Sequence, residues 1–125
     1  MTQVLAVAAG GALGALARYG ASLYFGQFKP AGLFAYPLAT LLVNVAGCFL
    51  LALLVFSADG LSPIWKAGLG TGFLGALTTF STFELEVLQL GLNASALAAL
   101  GYLLLSVALG FGATLIGRAL ALHLA

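Results

Sequence analysis

Residues Gly68 to Glu86 read GLGTGFLGALTTFSTFELE, and they concentrate the side chains that could handle an ion. Thr78, Thr79, Ser81 and Thr82 bring four hydroxyls within five positions. Such hydroxyls compete with the helix for backbone hydrogen bonds. Phe80 and Phe83 stand three positions apart, on one face if the chain is helical there. Just before them Gly68, Gly70, Gly72 and Gly75 weaken the helix, since glycine costs helix stability relative to alanine. The stretch lies inside an apolar run long enough to cross a bilayer. Broken backbone at that depth survives only where protein or a water-filled cavity satisfies its polar groups, so the break itself marks a candidate site.

Two further polar stripes accompany it. Asn44 has Thr40 one turn before it and Gly47 and Cys48 one turn after. Tyr102, Ser106, Gly110 and Thr114 recur every four residues in the last apolar run. Asn44 alone reads as glue between helices, and Ser and Thr usually bond their own helix backbone. Two stripes beside a broken helix point to a polar path. Arg18, followed by Tyr19, reads either as a snorkelling arginine or as an anion-attracting charge at a pore mouth. Glu84 and Glu86 fall on different helix faces, and an intramembrane carboxylate is a functional candidate by default.

The elements that must position these residues follow from composition. The chain has 125 residues, of which 63% are hydrophobic and 6% charged. Soluble domains carry about 25% charged residues. An integral membrane protein is therefore expected, all-α, as a single four-helix transmembrane domain over 1–125. The spans run roughly Val4 to Phe25, Tyr36 to Phe56, Ile64 to Leu90 and Ala96 to His123, each meeting the ~20 residues needed to cross. The third is expected to be broken mid-membrane. Gln27-Phe28-Lys29-Pro30, Ser57-Ala58-Asp59-Gly60 and Gly91-Leu92-Asn93 with Ser95 separate them. The first span lacks a basic leader region, so it reads as retained. Gly10/Gly14 and Gly68/Gly72 are G-x-x-x-G pairs that let helices approach closely.

Charge excludes other classes. A net charge of +1 with no basic patch gives no case for nucleic acid. The lone Cys48 rules out an internal disulfide and a cysteine metal cluster. Gly70-Thr71-Gly72-Phe73-Leu74-Gly75 fits a dinucleotide fingerprint, but that motif needs a strand before it and a helix after it. No nucleotide loop, metal-spaced histidine pair or nucleophile triad appears, so an enzyme is not expected. Lys66 and Arg118 near one membrane face balance Lys29 and Arg18 near the other. The positive-inside rule then sets no orientation, which allows an antiparallel pair of one chain.

These residues resemble the Fluc (CrcB-type) fluoride channels. The likeness rests on Gly10-Gly11-Ala12-Leu13-Gly14-Ala15 with Arg18-Tyr19, on Asn44-Val45-Ala46-Gly47-Cys48-Phe49, and on Gly72 through Phe83 with its T-T-F-S-T-F run. It covers all four spans in order. The resemblance implies a dual-topology antiparallel homodimer in the cell (inner) membrane, multi-pass, with two fluoride pores. It also implies a structural sodium ion, not transported, at the dimer centre. Phe80 and Phe83 match the family's phenylalanine pair, and Asn44 its pore asparagine. Ser81, Thr82, Tyr102 and Ser106 match polar pore-lining positions. Gly75 and Thr78 match the residues whose backbone carbonyls hold sodium, and Glu86 matches a recurrent glutamate. Ala76 and Gly110 depart from the pattern, where a second glycine and another hydroxyl are expected. From the residues alone the reading is a small ion channel or transporter. The alternative is a small dual-topology proton-coupled exporter using Glu84 or Glu86, and a third reading is a structural membrane subunit.

Overall fold

The structure is a computed structural model and describes residues 1–27, 37–57 and 60–124. The expected breaks at Phe28-Lys29-Pro30 and Ala58-Asp59, and the second span's start at Tyr36, lie outside the described residues.

Among the described residues every regular element is helical. Three helices are long and apolar enough to cross a membrane: α1 (Thr2–Phe25), α2 (Leu38–Ser57) and α6 (Ala96–Leu124). The third expected span is present as a series of shorter pieces. It opens with α3 (Pro63–Lys66), continues as a π-type helix over Ala67–Leu74, and ends its first half in α4 (Gly75–Leu77). After an interruption, α5 (Ser81–Asn93) forms the second half. Pro63 sits in the first turn of α3, where its missing N–H costs nothing. At the other end Ser95 Oγ accepts the Ala98 N–H at 3.1 Å and so caps α6.

The glycines turn out to widen the helix rather than end it. Where the sequence predicts a loosened backbone from Gly68 onward, the chain winds in π turns, with the Gly75 N–H reaching back to the Gly70 carbonyl. The widened backbone presses against α1. A Cβ on Gly10 would run into the Gly68 carbonyl oxygen, and one on Gly14 into that of Phe73. A Cβ on Gly72 would stand 3.2 Å from the Gly10 Cα. The two G-x-x-x-G pairs, generic as motifs, are each other's partners. Backbone approach of this kind is what small residues allow in a medium with no hydrophobic drive between helices.

On the other side α2 lies against α6. A Cβ on Gly117 would meet the Phe49 carbonyl oxygen, and one on Gly110 would lie 3.4 Å from the Cys48 Sγ. Thr114 Oγ1 donates to the Gly110 carbonyl at 3.0 Å, the ordinary local bond of a helical threonine. Two small buried clusters complete the interior: Leu41, Phe83 and Tyr102, and Val43, Leu74 and Leu77. They flank the interruption of the third span on either side.

A candidate ion site at the interrupted helix

The helix stops at Thr78, whose backbone is extended at φ −80° and ψ 156°. Asn44 holds it open. Its Nδ2 donates to the Thr79 carbonyl at 2.9 Å, and its Oδ1 accepts the Thr79 N–H at 2.8 Å. One side-chain amide on α2 thus satisfies a whole residue of non-helical backbone. In a continuing helix the Thr79 N–H would serve the carbonyl of Gly75. The Thr82 N–H, which would serve Thr78, turns instead to Thr79 Oγ1 at 3.3 Å. The carbonyls of Gly75 and Thr78 therefore lose their regular helical partners. The Leu74 carbonyl keeps two, accepting from Thr78 N–H at 3.1 Å and Thr78 Oγ1 at 3.0 Å. The Ala76 carbonyl gains one from α1, where Arg18 Nε donates at 3.1 Å.

An open cavity of about 460 Å³ lies beside the interruption. Its lining brings together Asn44, Gly75, Thr78, Phe80, Phe83 and Ser106, drawn from α2, both halves of the third span, and α6. Ser106 Oγ is buried at the α6 side of the cavity. Phe80 and Phe83 lie with ring centroids 6.0 Å apart, but their surroundings differ sharply. Phe80 is 74% exposed, whereas Phe83 is 6% exposed and packs its ring against Tyr102 at 5.4 Å.

The other expected pathway residues stand apart from this cavity's lining. Ser81 is exposed in the first turn of α5. Thr82 accepts a hydrogen bond from Thr79 Oγ1 at 3.1 Å. Tyr102 is fully buried, and its hydroxyl donates to Glu86 Oε2 at 2.8 Å. The second oxygen of Glu86 accepts from Thr40 Oγ1 at 2.7 Å. A carboxylate bridge between α2, α5 and α6 results, and no sequence pattern pairs these three residues. Thr40 shares a helix face with Asn44, which is the one hint available. The Arg18 contact was equally hidden, because it joins residues 58 positions apart. Arg18 is half-buried against the interruption rather than free at a membrane surface.

This arrangement offers oxygen ligands from freed carbonyls, hydroxyl and amide donors, and two aromatic rings around one cavity. Such a set suits transient handling of ions better than bond chemistry. The exporter alternative finds no support, since Glu86 is tied to two hydroxyl donors and Glu84 is exposed. Comparison with known proteins points the same way. The family described as "CrcB-like protein, Camphor Resistance (CrcB)" matches residues 5–118. The chain is 46% identical over 114 residues to a fluoride-specific ion channel FluC 2 of Rhodococcus jostii, covering 91% of this chain and 94% of that one. It is 44% identical over 115 residues to a fluoride-specific ion channel FluC of Saccharophagus degradans, covering 90% and 84%. A protein of the same description from Acidobacterium capsulatum is 43% identical over 118 residues, covering 92% of both. With a family match across nearly its whole length and relatives this similar, the chain is a multi-pass membrane protein that belongs to the CrcB-like family.

Proposed function

We propose that this protein is a fluoride-selective channel, and not an enzyme, that lets fluoride leave the cytoplasm and so lowers its toxicity. The observation that carries the reading is near-full-length similarity to relatives described as fluoride-specific ion channels. The site is chemically suited to the task. Fluoride is small and strongly hydrated, so a pore must replace its water with other positive dipoles, held weakly enough to let the ion go. Ring edges of Phe80 and Phe83 are electropositive without carrying a full charge. Asn44 spends one amide N–H on Thr79 and has a second, and Ser106 contributes a hydroxyl at the cavity wall. Ser81, Thr82 and Tyr102 extend the polar route along α5 and α6.

The proposed unit is an antiparallel, dual-topology homodimer in the inner membrane, in which α3 to α5 make one broken crossing, the third of four in each protomer. A structural sodium ion fits the residues present, because the freed carbonyls of Gly75 and Thr78 are hard oxygen ligands of the kind unwound helices present to cations. Two protomers would supply the pair twice about a two-fold axis. Such an ion would supply the positive charge that the freed carbonyls of Gly75 and Thr78 could hold.

The test is fluoride efflux from liposomes that hold the purified chain alone. Fast efflux that discriminates against chloride is expected, with loss of activity when sodium is replaced by a larger cation. Liposomes that retain fluoride in sodium would overturn the reading.

A further inference from the structure

Arg18 is an intramembrane cation whose visible use is local. Its Nε–H donates to the Ala76 carbonyl at 3.1 Å, in the last turn before the helix stops. That carbonyl is one of the terminal four that a helix cannot satisfy from within. The peptide that follows Gly75 is the one immediately before it in the chain. Asn44 grips the backbone on the far side, at Thr79. The interruption is therefore held from two helices, by α1 before it and by α2 after it.

We propose that Arg18 is a positioning residue. By holding the Ala76 carbonyl, its Nε–H fixes the end of α4 and so the aim of the neighbouring Gly75 carbonyl. It acts as a hydrogen-bond donor, not as a fixed positive charge drawing anions towards the pore. The proposal rests on the channel reading above for its transport consequence alone. A lone positive charge beside the ion route would hold an anion too long for rapid passage. Engagement with a backbone carbonyl left over at the end of a helix uses the guanidinium as a donor instead.

Chemistry supplies a clean separation of the two roles. Glutamine carries its amide nitrogen the same number of bonds from Cα as arginine carries Nε, so Arg18→Gln keeps a donor in place and removes the charge. Arg18→Lys keeps the charge and moves the donor one bond further out. Arg18→Leu removes both.

Fluoride efflux and backbone hydrogen exchange are measured on the purified full chain in sodium-containing liposomes. Arg18→Leu is expected to lose up to about tenfold in efflux, the scale of one hydrogen bond. Exchange should rise at the Thr78, Thr79 and Thr82 amides while α2 and α6 stay protected. Arg18→Gln should keep efflux and exchange close to the parent. An Arg18→Gln protein as impaired as the leucine variant, with Arg18→Lys conducting normally, would overturn the proposal in favour of the charge. So would an Arg18→Leu protein with parental efflux and parental exchange. If the leucine variant does not fold, the glutamine and lysine variants decide between donor and charge. If the parent itself carries no fluoride, the channel reading fails, and local exchange in the three variants still judges Arg18.

Discussion

Asn44 shows how a side chain read from a helix stripe can turn out to hold backbone in another helix. Its helix stripe marks it as a site residue, but a sequence cannot reveal that both ends of the amide grip Thr79. That pairing spans 35 positions and depends on where the third span stops. Phe80 and Phe83 are alike by spacing and are unequal in the fold. Phe83 is buried against Tyr102, while Phe80 stands at the start of α5 with most of its ring uncovered. The two substitutions to isoleucine should therefore separate. Phe83→Ile is expected to lose about 1–2 kcal/mol of stability through its buried ring contacts. Phe80→Ile should stay within about 0.5 kcal/mol of the parent, as exposed positions usually do. Both should cut fluoride efflux steeply, because isoleucine keeps apolar bulk and lacks a polarised ring edge. Thermal unfolding in detergent beside efflux reads both quantities. A Phe80→Ile protein that is stable and conducts at the parental rate would show that the exposed ring has no part in permeation.

The elements were legible in outline because hydropathy and glycine content are properties of sequence alone. Three of the four expected spans are long apolar helices, within a few residues of the expected ends where the structure describes them. The interruption was legible as a region, within Gly68 to Glu86, and illegible as a mechanism. Glycines permit the π winding, but the stop at Thr78 comes from hydrogen bonds made by other helices. Which G-x-x-x-G pair meets which was equally out of reach, since the motif states close approach and names no partner. In the fold, the seam between α1 and the π segment is backbone against backbone. Gly14→Ala would drive a methyl group at the Phe73 carbonyl, which cannot yield without moving the segment that carries the site. A loss of about 1–3 kcal/mol is expected, the usual cost of overpacking. Gly20, on the same helix, has nothing within 4 Å of a Cβ. Gly20→Ala should be neutral or slightly stabilising, by up to about 1 kcal/mol from helix propensity. Chemical or thermal unfolding of the two variants tests the seam directly, and equal tolerance of both would mean that α1 does not approach the π segment so closely.

At the scale of the whole molecule, the protomer leaves its own site open. Phe80 is 74% exposed, and Gly75, whose carbonyl is freed, is exposed beside the same cavity. A polar cleft open on one side within a bilayer is costly unless more protein covers it. A second copy of the chain is the proposed cover, and charge permits it to insert the other way up. Arg18 is drawn to the interruption, so the sequence expectation of two cations near each face becomes two against one. A difference of one cation is too small to enforce a single orientation. Two lysines added at the N-terminus should therefore drive every copy the same way. Two lysines placed instead in the turn between α5 and α6 should drive every copy the opposite way. Each variant expressed alone is expected to give a folded but inactive chain, and the two expressed together should recover fluoride efflux. Accessibility of cysteines introduced at the termini would confirm the orientations. If either locked variant conducts normally by itself, copies of opposite orientation are not needed and the antiparallel arrangement is wrong.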